Sequence, residues 1–248
     1  MSVSSLEPRA AGWYPDPAGG AGRRWHDGQG WTAKVSFGQM VKPLGAPFAK
    51  LGDRLARLLI LMCALNVAVL ALNVGGYLAP ELVLGVSPGE PGTVPVNLLA
   101  GLALVLIYLV GYVVTGLLWA VWQYRLAVSA PAALRRSPAM HVASWCLPVV
   151  SYWFPVRNMS DLWRSYGTAH RRDTAVGGPP LFLWWTCWIV SALFGAGMFP
   201  TLLATTVQEV RVLSLLGAVG ALFSALAAGL AVLVVRRLSW QALLVHAG

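Results

Sequence analysis

Acidic residues are scarce in this chain: nine Asp and Glu stand against 18 Lys and Arg, and charged residues of either sign make up 11% of it. Soluble domains carry charge on about a quarter of their residues, so water is not the main solvent for this sequence. The deficit is concentrated in four runs, residues 58–78, 96–121, 181–203 and 212–235, which contain no Asp, Glu, Lys, Arg or His. A helix of about 20 apolar residues crosses the roughly 30 Å hydrocarbon layer, and each run reaches that length. A core helix of a soluble domain needs a wet face, and these have none. Cysteine is rare as well. Cys63, Cys146 and Cys187 exclude a disulfide framework and read as small apolar packing residues. Also missing are HExxH, a P-loop, GxGxxG and GxSxG, so catalytic, cofactor-binding and metal-binding residues are expected to be none.

The cations mark orientation. Residues 79–95 carry Glu81 and Glu90 and no Lys or Arg, and residues 205–211 carry Glu209 and one cation, Arg211. Every other Lys and Arg precedes the first run, lies between the second and third, or directly follows the fourth as Arg236 and Arg237. Cytoplasmic loops accumulate Lys and Arg. Both termini and the central loop are therefore expected on the cytoplasmic side of the inner membrane, with the net charge of +9 directed at anionic headgroups rather than nucleic acid. No signal peptide opens the chain, so the first span itself is expected to direct insertion.

The expected fold is an all-α polytopic membrane protein. Four transmembrane helices are placed at about 58–79, 96–124, 181–204 and 212–235, with interfacial helices in the central loop and a small β-rich N-terminal module. Residues 1–34 form the Trp/Pro/Gly module on the cytoplasmic side. Residues 35–57 form a linker and a basic amphipathic segment, in which Lys50, Arg54 and Arg57 oppose Phe48, Leu51, Leu55 and Leu58; such a segment lies along the membrane surface. Residues 58–240 form the membrane domain. Within it, the segment 140–172 opens with a stretch, 140–156, that is apolar and aromatic but short, and broken by Pro148 and Pro155. Crossing there would carry Arg157, Arg164, Arg171 and Arg172 outside, so the segment reads as interfacial or re-entrant. Asn158 is placed to cap a second surface helix with the apolar stripe Met159, Leu162, Trp163 and Tyr166.

Helix packing is written into the fourth run by Gly217, Ala221, Ala225 and Gly229, small residues at every fourth position that let backbones approach, within the protein or in a homo-oligomer. Asn66 and Asn73 share a face of the first run and should point inward to a hydrogen-bond partner. Pro200 reads as a kink.

In the module, Trp13, Trp25 and Trp31 alternate with turn signals at Pro17, 19–22 and Asp27-Gly28, which reads as short strands with the tryptophans stacked on each other and on Pro15 and Pro17. The string GWYPDP at 12–17, followed by RWHDGQGWT at 24–32, resembles the short tryptophan-rich domain at the N-termini of many actinobacterial membrane proteins, domain of unknown function 2510. That family usually carries a second aromatic after Arg-Trp, where this chain has His26. Ser137-Pro138, Trp145, Pro148, Pro155 and Trp163-Arg164-x-Tyr166, preceded by Trp122-x-Tyr124-Arg125, resemble the central loop of an actinobacterial four-span family, domain of unknown function 4328, over about residues 50–240. Ser151 stands where that family commonly has Asn, and Met140 where it has Trp. Neither resemblance implies an activity.

His141, Asp161, His170 and Asp173 are the candidates for acid–base or metal chemistry, at spacings that match no catalytic or ligand motif. The favoured expectation is a non-enzymatic interaction or scaffold protein with a cytoplasmic recruiting face. Its interaction candidates are Trp13, Tyr14, Trp25 and Trp31 in the module, and Trp145, Trp153, Arg157, Trp163 and Arg164 in the loop. The expected partners are the lipid bilayer, anionic headgroups and a protein. The alternative is a small channel or transporter for an uncharged or lipidic solute, lined by Asn66, Asn73, Thr115 and Ser191.

Overall fold

The computed structural model describes residues 10–18, 23–36, 44–80, 96–132, 134–147, 149–169, 179–194, 204 and 206–247. The chain divides into two compact units. One comprises Met1–Ala49, Val121–Val176 and Trp240–Gly248; the other comprises Lys50–Ala120 and Gly177–Ser239.

The first unit opens with a three-stranded antiparallel sheet, β1 (Gly12–Pro15), β2 (Arg23–His26) and β3 (Trp31–Ser36), in sequential order. Trp13 pairs with Trp25, Tyr14 with Arg24, and His26 with Trp31, with an irregularity between Arg24 and His26. The β2–β3 turn is fixed by Asp27. Its carboxylate accepts the backbone N–H of Gln29 and Gly30 at 2.8 and 2.7 Å, and Gly28 takes a φ of 99° that suits glycine. The same unit contains two helices, α3 (Pro138–Ala143) and α4 (Phe154–Ala169), joined through a single 3-10 turn at Val150–Tyr152. Ser137 starts α3 by accepting the Met140 N–H on its hydroxyl at 3.3 Å, and Pro138 follows where a missing N–H costs nothing.

The long helices are α1 (Ala46–Leu78), α2 (Val96–Val128) and α6 (Val207–Ala247), with a shorter apolar helix α5 (Pro179–Phe194). Among the described residues three helices are long and apolar enough to cross a membrane: α1, α2 and α6. Of the third expected span, residues 181–194 are helix; residues 195–203, with Pro200, lie outside the described residues. Within the most apolar window of α2 only 11% is buried, and Leu106, Ile107, Val110 and Leu117 are each more than half exposed. So continuous an apolar surface is at home in lipid and untenable in water.

Two boundaries differ from the sequence reading. The basic segment and the first span form one unbroken helix, α1, because Lys50, Arg54 and Arg57 are good helix formers and nothing between 46 and 78 stops the turn. Likewise α6 continues past Arg236 and Arg237 to Ala247.

In the second unit α1 and α6 run antiparallel. A Cβ placed on Gly52 would lie 2.8 Å from Ser239 Oγ, and one on Gly217 would collide with the Asn73 amide. Between those points the Cys63 thiol donates to the Ala225 carbonyl at 3.4 Å. Ala221 and Ala225 are buried, whereas a Cβ on Gly229 would meet nothing within 4 Å. Asn66 is buried; its amide donates to the Met62 carbonyl and its oxygen accepts the Tyr108 hydroxyl at 3.3 Å. Asn73 donates to the Val69 carbonyl at 2.8 Å. Gly217→Leu should therefore destabilise the protein by roughly 1–3 kcal/mol, read as earlier thermal unfolding in detergent. Gly229→Leu, pointing into open space, should leave the unfolding temperature nearly unchanged.

Candidate functional site

The module presents two aromatic faces. A strand period of two sets Trp13 and Trp25 on one side, edge to face at 5.4 Å between ring centres. Tyr14, His26 and Trp31 share the other side, mutually perpendicular at 5.1–6.2 Å. The expected three-tryptophan stack is thus corrected: Trp31 is odd-numbered like its fellows, but it pairs across the sheet with His26, and that pairing sends it to the Tyr14 face. His26, in the place of an expected aromatic, packs as one. Beside this face Arg24 makes a two-pronged ion pair with Asp16, at 2.9 and 3.2 Å. The guanidinium holds the Asp16 carboxyl below its ordinary range. Trp31 is 37% exposed, the rim of an aromatic patch.

The central segment has a polar interior. Asn158, Ser144, His141 and Gln123 are fully buried, and Asp161 and Ser165 nearly so. Arg136 donates to Asn158 Oδ1 at 3.1 Å and lays its guanidinium 4.0 Å over the Phe154 ring. The Asn158 amide donates to the Met140 carbonyl and to Ser144 Oγ, at 3.3 and 3.0 Å. Trp145 donates to Gln123 Oε1 at 2.9 Å, Tyr166 to the Leu126 carbonyl at 2.9 Å, and Ser165 bridges the backbone of Ala132. Arg135 pairs with Asp161 at 3.5 Å. Burial raises the Asp161 carboxyl despite Arg135, Arg136 and Arg164 around it.

Asn158 is therefore a buried connector inside α4, not its cap; α4 begins at Phe154. The stripe Met159, Leu162, Trp163 and Tyr166 is buried in the protein, so it does not lie against the bilayer as a surface helix would. The Trp163 indole packs inside, and Trp145 is half-buried and hydrogen-bonded. Arg164 is partly exposed and Arg157 exposed. His170, Arg171, Arg172 and Asp173 lie outside the described residues. Gln123, Arg136 and Ser144 passed unnoticed in the sequence; Gln123 and Ser144 showed there only as polar residues beside apolar neighbours, and Arg136 as one of a basic pair.

One edge of this unit is apolar and open. Leu147, Val149, Tyr152 and Trp153 are 41%, 80%, 48% and 61% exposed. Arg157 holds its guanidinium 5.8 Å over the Trp153 ring. Val149 has a φ of 64°, an outlier for a β-branched residue. Among the described residues no group of three His, Cys, Asp or Glu is placed to hold a metal.

Comparison with known proteins adds classification. Residues 91–239, more than half of the chain, match the family described as Domain of unknown function (DUF4328). Residues 11–47 match one described as Protein of unknown function (DUF2510). The larger match starts at 91, so α1 falls outside it, where the sequence reading extended it to about residue 50. No curated protein and no solved structure matches the chain.

Two substitutions probe the interior. Asn158→Leu strands a guanidinium, a hydroxyl and a carbonyl, and should cost about 3 kcal/mol, read as protease cleavage within 130–165. His141 has neither ring nitrogen hydrogen-bonded among the described residues. Burial, and secondarily the Arg136 charge, lower its pKa to about 4. The unfolded imidazole takes its proton near 6.5 and the folded one near 4. Stability is therefore full above about pH 6.5 and is lost as the pH falls from there to about 4, by at most roughly 3 kcal/mol, while Asp161, with a raised pKa, works in the opposite sense. His141→Leu should raise stability at pH 5 and flatten the dependence between about pH 6.5 and 4, measured by amide exchange in α3 and α4.

Proposed function

The chain belongs to the family described as Domain of unknown function (DUF4328), a description that carries no activity, and from that premise we propose a non-enzymatic, four-span inner-membrane protein that recruits partners on its cytoplasmic face. The observation that carries this reading is the open apolar edge of the central segment. Leu147, Val149, Tyr152 and Trp153 project beside Arg157, and Trp and Tyr next to a cation are the residue types that settle at a membrane–water interface. In this reading the edge rests in the inner leaflet, with anionic headgroups at Arg157 and Arg164. The N-terminal sheet then offers its Tyr14–His26–Trp31 face to a protein partner. Partly exposed aromatic clusters beside a charged pair suit protein recognition.

Support for four spans comes from α1, α2 and α6 together with the uncharged run 181–203 that begins in α5. The cytoplasmic placement rests on the distribution of Lys and Arg. The channel alternative is less favoured. Thr115 and Ser191 spend their hydroxyls on carbonyls of their own helices, at 2.7 and 2.8 Å, and Asn66 and Asn73 do the same with their amides.

A photoreactive residue at position 153 should crosslink to phospholipid in cells. One at position 31 should give a discrete protein adduct, well above that from the turn residue Gln29. Adducts at neither position, or modification of a cysteine at 164 by a reagent confined to the cell exterior, would overturn the reading.

A further inference from the structure

A cleft of about 410 Å³ opens between α1 and α6, lined by Cys63, Val67 and Leu70 on one helix and by Leu222, Leu226 and Gly229 on the other. The lining is apolar throughout, and the cleft is open along one side, where Val67, Leu222 and Leu226 are about half exposed. Gly229 keeps it open, since a Cβ there would touch nothing within 4 Å.

Both walls lead to arginine. From Leu222, alternating steps of four and three residues along one face of α6 pass through Leu226, Gly229 and Leu233 to Arg236, with Arg237 adjacent. On α1 the face through Val67 climbs by Ala64 and Ile60 to Arg57. All three arginines are exposed. The helices are antiparallel, with Gly52 against Ser239 and Cys63 against Ala225. Interpolation between those contacts brings Arg57 level with Leu233, within a turn of Arg236 and Arg237. Three guanidinium groups therefore gather at one mouth of the cleft, about 10 Å along the helix axis from Gly229. Asp53, the nearest carboxylate on α1, lies a turn beyond Arg57 from the cleft but, by the same interpolation, level with Arg237; its carbonyl accepts the Arg57 Nε–H at 3.4 Å.

We propose that this cleft is a binding site for one anionic phospholipid, with an acyl chain against Cys63, Val67 and Gly229 and its phosphate at Arg57, Arg236 and Arg237. Guanidinium groups bind phosphate oxygens through paired, charge-assisted hydrogen bonds. The apolar walls have no other polar group to offer a ligand than the Cys63 thiol, which is spent on the Ala225 carbonyl. A second copy of the chain fits less well. In a two-fold dimer the same patch meets itself, and these arginines would then oppose their own counterparts.

The test uses the full chain purified in detergent, where insertion orientation plays no part, mixed with equal amounts of phosphatidylglycerol and phosphatidylcholine and read by native mass spectrometry. The wild type should retain one lipid and prefer phosphatidylglycerol by about tenfold. Gly229→Phe, whose Cβ would meet nothing within 4 Å, places a ring in the cleft and should abolish retention, and Val67→Trp should do so from the opposite wall. Arg57→Gln with Arg236→Gln and Arg237→Gln should bring the preference to about one. Equal retention of the two lipids by the wild type overturns the proposal, as does undiminished phosphatidylglycerol in both cleft variants. Loss of a dimer in place of lipid would assign the cleft to a second copy and overturn it equally.

Discussion

A helix already surrounded by hydrocarbon gains little by burying more apolar surface against a neighbour, so association in lipid must come from close packing and from hydrogen bonds between helices. That constraint governs the second unit. Gly217 against Asn73 and Gly52 against Ser239 are places where α1 and α6 approach so closely that one methyl group does not fit. Asn66 and Tyr108 supply a polar contact between α1 and α2, with Ser224 of α6 3.5 Å from the same hydroxyl. Asn66 and Asn73 also bond to carbonyls one turn back in α1. Much of the remaining apolar surface can then stay in lipid, and α2 leaves Leu106, Ile107 and Leu117 largely uncovered.

The first unit follows the opposite rule. Its interior is rich in polar groups, and its cohesion depends on their being satisfied. Asn158 ties Arg136, the Met140 carbonyl and Ser144 into one network. Arg136 then lies over Phe154, next to the start of α4. Apolar burial contributes through Met159, Leu162 and Tyr166. An amphipathic helix gives the same sequence pattern whether its apolar stripe meets lipid or protein. In α4 the protein wins, because Asn158, Asp161 and Ser165, which flank the stripe, are also buried. A membrane surface would have left them wet.

What was legible in the sequence was whatever depends on local chemistry. The uncharged runs announced the long helices, and Asp27-Gly28 marked a turn. What escaped depends on partners distant in sequence. The side of the sheet that Trp31 occupies follows from its pairing with His26 across an irregular ladder, and a shift of one residue reverses the face. The continuity of α1 was hidden because cations mark a membrane edge without ending a helix. The buried network around Asn158 joins residues 14 to 22 positions apart, and polar residues of a basic loop look alike whether solvated or enclosed. Gly229 shared its spacing with Gly217, yet one meets a neighbour and the other empty space; a small-residue stripe records where helices can approach, not where they do.

The strained Val149 bears on how the open edge is held. A positive φ at a β-branched residue costs on the order of 1–3 kcal/mol, and a loop free to relax would not keep it. On either side the chain is pinned: Ser144 accepts from Asn158 before it, and Phe154 lies under Arg136 after it. Between these anchors the 3-10 turn is closed by the Ser151, Tyr152 and Trp153 N–H groups, donating to the carbonyls of Leu147, Val149 and Val150 at 2.9 to 3.1 Å. Net contributions of about 1 kcal/mol for each such bond are enough to offset the strain. The exposure of Leu147, Val149 and Trp153 is thus imposed by the buried polar network. Residues chosen for solubility alone would have been polar here; the anchors instead hold apolar side chains outward.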